Sequence, residues 1–122
     1  MPIPDQALDR YRQTLRRRDA EARVRQEETY RRAWDDARRA ASVLKEEFEA
    51  ERVLLFGSVA REERLSPHSD LDLAVEGLPP MEYDRAVARL QSVSSQRSVD
   101  LVSLGSCPDS LRQTIQDTGI ER

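Results

Sequence analysis

One cysteine, Cys107, and one histidine, His68, are present in 122 residues. A lone thiol excludes an internal disulfide and suits a reducing compartment. His68 sits in a polar loop beside Pro67, with no His or Cys near it to build a zinc site. No apolar run approaches the length of a bilayer span. Met1-Pro2-Ile3-Pro4-Asp5 lacks the charged-then-apolar order of a secretion signal. A cytoplasmic location is expected. Nor does either sign of charge dominate, with 20 Lys and Arg against 23 Asp and Glu. Residues 1–50 carry +1 and residues 51–122 carry −4, for a net −3. That balance argues against bulk electrostatic binding to nucleic acid.

Glycine is scarce as well: there are four, and none precedes Gly57. From Pro4-Asp5 to residue 50 there is no helix breaker, and Arg, Glu and Ala abound, so this stretch is expected to be helical. Leu8, Tyr11, Leu15 and Ala22 mark one apolar stripe. Tyr30, Trp34, Ala37, Ala41, Leu44 and Phe48 mark a second, stronger one. The polar run Arg23 to Thr29 separates them, which fits one helix with a phase change or two helices with a bend. A single helix would be roughly 70 Å long at about 1.5 Å per residue. The second stripe is expected on a sheet and the first against another chain. The expected organisation is a helical extension over 1–32 and one small domain over 33–122.

Beyond residue 50 the chain alternates strand and helix. Arg52-Val53-Leu54-Leu55-Phe56 reads as an interior strand ending at Gly57. Residues 59–64 read as a short helix and 65–69 as a loop. From Asp70 the polarity alternates residue by residue, with Leu71, Leu73 and Val75 on one face and Asp70, Asp72 and Ala74 on the other. A helix with Tyr83, Val87 and Leu90, a strand from Ser98 to Leu104, and a helix with Leu111 and Ile115 complete the order. The expected fold is α+β, a small mixed sheet with helices against one face.

Three acids in those strands need compensation. Asp70 and Asp72 share a face with α-carbons about 6.5–7 Å apart, and Asp100 interrupts the apolar Val99-Asp100-Leu101-Val102. An unpaired buried carboxylate is costly, and three together would repel until one took up a proton. Mg²⁺ held through carboxylate oxygens is the compensation this layout suggests, with room left for water and phosphate. Two such ions can steady both the attacking and the departing oxygen of a nucleotidyl transfer. At the other end of the substrate, Gly57-Ser58 permits close backbone approach to an anion. Ser58 can donate its hydroxyl to a terminal phosphate. Arg61 is either a further phosphate ligand or a surface arginine paired with Glu62 or another acid.

At these residues the chain resembles the minimal nucleotidyltransferases of the DNA polymerase β superfamily. Their pattern is a Gly-Ser turn, an Asp-x-Asp pair about ten residues on, and a later Asp in a strand. Here Gly57-Ser58, Asp70-Leu71-Asp72 and Asp100 stand in that order over about residues 33–120. One departure is Glu62, where the family usually has glycine. The resemblance implies the polymerase β-like nucleotidyltransferase fold, with Asp70, Asp72 and Asp100 as catalytic metal ligands. Asp100 would also help deprotonate the acceptor, and Gly57 and Ser58 would bind the triphosphate of ATP. It further implies an antitoxin that transfers AMP from ATP to a tyrosine of a HEPN-domain RNase toxin, its partner. Two other readings fit: an antitoxin that acts by binding alone, and a transferase for a small molecule.

Bland roles suit the remaining residues of note. Trp34 and Tyr30 fall on the apolar stripe and should pack. Cys107, beside Pro108, should pack too, and Arg16-Arg17-Arg18 should form a solvated helix face.

Overall fold

A computed structural model describes residues 4–62 and 64–122. Helix α1 runs unbroken from Asp5 to Phe48. Its 44 residues span about 66 Å. The polar run Arg23–Thr29 does not interrupt it, since nothing there opposes helix and no Gly or Pro intervenes. Glu49 ends it in the left-handed conformation, φ 57°, and the Ala50 N–H bonds back to the Leu44 carbonyl.

The strands are β1 (Arg52–Phe56), β2 (Leu71–Glu76), β3 (Val99–Ser103) and β4 (Ile120–Glu121). Between them lie α2 (Gly57–Ala60), a 3₁₀ turn at Pro80–Glu82, α3 (Tyr83–Leu90) and α4 (Asp109–Thr118). The sheet order is β3-β2-β1-β4, with β2 and β3 parallel and the other pairs antiparallel. The sheet is therefore mixed, as expected. The two-residue β4, paired to Leu54 and Leu55, is an addition that its length and polarity hid from pattern reading.

Alternation along the strands builds two cores. Val53, Leu55, Leu71, Leu73, Val75, Val99 and Leu101 face α1 and α3. On α1, alanines 33, 37, 40 and 41 are buried and let the helix lie close to the sheet, with Leu44 and Phe48 sealing its end. The opposite face carries Leu54, Ala74 and Leu104 against Ile115 of α4, with Val102 and Leu111 beside them. Helices thus cover both faces, which corrects the expectation of one. Upstream of Ala33 no described α1 side chain is buried, and Tyr11, Leu15 and Val24 are 63%, 40% and 54% exposed. Among the described residues, no helix is long and apolar enough to cross a membrane.

Candidate active site

The face under α4 is only half covered. Ala74 and Val102 lie beneath the helix, while Asp72 and Asp100, two residues earlier on the same face, lie outside it. Register sets Asp72 opposite Asp100 in the parallel β2–β3 pair, on strands about 4.8 Å apart. It also sets Asp72 opposite Phe56, the residue before Gly57. Asp70 immediately precedes β2. Asp72 is half-buried, whereas Asp70 and Asp100 are exposed. Burial pushes the Asp72 carboxyl above its usual range, and the charges of Asp100 and Asp70 push it further. Arg61 pulls the other way.

Gly57 meets this carboxylate directly. Its φ is +77°, and a Cβ there would overlap Asp72 Oδ2 and come within 3.0 Å of Cγ. Only glycine combines that backbone with that approach. Gly57 and Ser58 open α2, which has no side-chain cap. The first-turn N–H groups of a helix have no partner within it. Val59, fully buried in the α1-side core, anchors the turn. The short helix therefore begins two residues earlier than the pattern suggested and ends sooner. Glu62 stops it at φ 55°, and Glu63 lies outside the described residues. The left-handed conformation costs roughly 1–2 kcal/mol for a residue with a Cβ, which explains why glycine suits this position. Glu62→Gly is expected to leave stability unchanged or raise it by up to about 1 kcal/mol, the higher chain entropy of glycine offsetting part of the gain. A thermal melt checks this, and a clear drop in Tm would give the Glu62 side chain a role of its own.

The structure thus brings Gly57, Asp72 and Asp100 together, with Asp70 and Arg61 close enough to act on Asp72. Among the described residues, the carboxylates do not already converge as a three-ligand cage. The donor set nevertheless fits a hard divalent cation: all oxygen, anionic, and with one carboxyl whose ionisation its neighbours oppose. His68 takes no part; its Nδ1 lies 2.9 Å from the Gln96 carbonyl oxygen. Cys107 packs beside α4, and Trp34 lies under the Arg122 guanidinium, 4.3 Å from ring centre to Cζ.

The model of the family described as polymerase beta nucleotidyltransferase matches residues 39–121. A solved structure described as a minimal nucleotidyltransferase is 34% identical, over 68% of this chain and 86% of that one, with a TM-score of 0.55. The chain belongs to the minimal nucleotidyltransferases of the polymerase β family. This minimal nucleotidyltransferase is also similar to a chain of a toxin–antitoxin crystallised with AMP-PNP. They share 25% identity over 68% of this chain and 69% of that one, with a TM-score of 0.57. A chain of a variant MntA–HpeT toxin–antitoxin is 26% identical over 66% and 64%, with a TM-score of 0.53. No curated protein matches the sequence.

One feature of the neighbourhood escaped pattern reading. Asp36 of α1 and Arg97, just before β3, form a buried ion pair. The signal was present, since Asp36 stands three residues after Ala33 and four before Ala40, on the apolar face of the helix.

Proposed function

We propose that this nucleotidyltransferase is the antitoxin of a two-protein module and transfers AMP from ATP to a tyrosine hydroxyl of its HEPN-domain toxin. The placement of Asp72 carries the chemistry: level with Asp100 and against the Gly57 turn. The biological role is supported by the likeness to a toxin–antitoxin chain crystallised with an ATP analogue. Tyr11 and Leu15, exposed one turn apart on the same stripe of α1, suit the docking of a second protein.

In this reading Gly57 and Ser58 receive the triphosphate on their backbone N–H groups and the serine hydroxyl. Arg61 adds positive charge beside it. Asp70, Asp72 and Asp100 would hold Mg²⁺, which when bound supplies positive charge to the phosphoryl oxygens and to both ends of the displacement. Asp100 accepts the proton of the tyrosine hydroxyl. The tyrosine oxygen bonds to the α-phosphorus, the bond from that phosphorus to the β-phosphate breaks, and pyrophosphate leaves. A cytoplasmic location with no membrane partner completes the reading.

The spread of the three carboxylates favours one alternative, neutralisation by binding alone. Radiolabelled ATP, Mg²⁺ and the proposed HEPN-domain toxin separate the two. Label on a toxin tyrosine supports the enzyme, while full inhibition of the toxin without label supports the alternative.

A further inference from the structure

Among the described residues, Asp36 and Arg97 are the buried charged side chains, each 6% exposed. Arg97 Nε lies 3.1 Å from Asp36 Oδ2, an ionic contact without the geometry of a straight hydrogen bond. Arg39, one turn along α1, donates to the other Asp36 oxygen. Burying such a pair is a poor way to hold a helix on a sheet, because desolvation consumes most of the attraction. Apolar residues of similar volume would pack α1 at least as firmly.

The third contact explains the arrangement better. Arg97 Nη1 donates to the carbonyl of Ser69, 3.2 Å away. Ser69 immediately precedes Asp70, and Arg97 itself lies three residues before Asp100. Between them the Leu71 N–H donates to the Ser98 carbonyl at 3.0 Å. A single guanidinium therefore ties the entries of both acid-bearing strands to each other and to α1. Leu65 anchors the start of the 64–69 loop in the core, but the other contacts nearer Asp70 are local or at the surface. Ser69 Oγ accepts from the Ser66 N–H, Gln26 donates to the Leu65 carbonyl, and His68 meets Gln96.

We infer that Arg97 is a positioning residue for the metal-binding carboxylates. It holds the Asp70 loop in place beside Asp100, and Asp36 orients its guanidinium from α1. This rests on the reading that Asp70, Asp72 and Asp100 hold a divalent cation. Partners outside the ligands themselves typically change metal affinity 10- to 100-fold.

The test is the Mg²⁺ affinity of the full chain by titration calorimetry, with a non-hydrolysable ATP analogue present and a thermal melt of each variant. Asp72→Asn should abolish binding. Arg97→Met should weaken it about 10-fold, and Arg97→Lys should weaken it as much while melting higher, because an ammonium can keep Asp36 paired without also holding Ser69. The double variant Asp36→Leu with Arg97→Met leaves no charge buried alone, so it should recover the melting temperature. It should still bind Mg²⁺ as weakly as Arg97→Met, and it carries the test if that single variant does not fold. Recovery of both stability and affinity in the double variant would make the pair merely structural and overturn the inference. Binding that Asp72→Asn does not weaken would instead overturn the metal reading itself.

Discussion

Asp72→Asn is expected to reduce nucleotidyl transfer by about 10²- to 10³-fold, the scale on which loss of a charge-stabilising group acts. It should do so without lowering the stability of the metal-free protein. The second half is a matter of linkage. Burial and the neighbouring Asp100 and Asp70 raise the Asp72 carboxyl above its ordinary 3.8, outweighing Arg61. A carboxyl raised in the folded state binds its proton more tightly there than in the unfolded chain. Its contribution to stability is then present below the unfolded pKa and lost as pH rises through the folded one. At neutral pH the ionised Asp72 therefore opposes folding, and the neutral amide does not. In EDTA, Asp72→Asn should melt at or above the wild-type temperature at pH 7. The difference should close as the pH falls through the raised pKa towards 3.8.

Magnesium should reverse the order. A ligand bound only by the folded state stabilises it by about 2.7 kcal/mol at a hundredfold excess over Kd. Wild type should gain that increment and Asp72→Asn should not. Melts at pH 7 with EDTA or excess Mg²⁺, beside the labelled-ATP assay, read both halves. A large fall in the EDTA melting temperature would mark Asp72 as a structural acid.

The parts of this site that could be read from sequence are those whose neighbours lie close along the chain. The strict alternation from Asp70 to Val75 fixes which face the acids occupy before any partner strand is known. The run Val53 to Phe56 stopping at Gly57 fixes where the turn must fall. Features set by distant pairings could not be read this way. Ile115 and Leu111 show that α4 is amphipathic, but not which sheet face it covers. That choice depends on Leu54, Ala74 and Leu104, apolar residues on the acidic side of the sheet. Asp36 stands on the apolar face of its helix, but its partner Arg97, 61 residues on, looks like a solvated charge until the fold closes over both. Even Glu62, visible as a departure from its family, acquires its meaning only from a backbone φ of 55°.

Gly57→Ala should be the most damaging single-methyl change in the site, and the cause of the damage can be separated into two parts. One is backbone strain: holding alanine at φ +77° costs roughly 1–2 kcal/mol. The other is overlap of the new Cβ with the Asp72 carboxylate, which must swing away. Displacing that carboxylate removes it from beside Asp100, so nucleotide and Mg²⁺ binding should fall with stability, and transfer should drop about 100-fold or more. A double-mutant cycle with Asp72→Ala isolates the second part. With the Asp72 carboxylate gone only a close contact to its Cβ, at 3.2 Å, remains, and Gly57→Ala should then cost little beyond the backbone strain. Denaturant unfolding of the four proteins measures the difference. An equal cost in both backgrounds would mean that the glycine serves its own backbone alone and does not shape the carboxylate it faces.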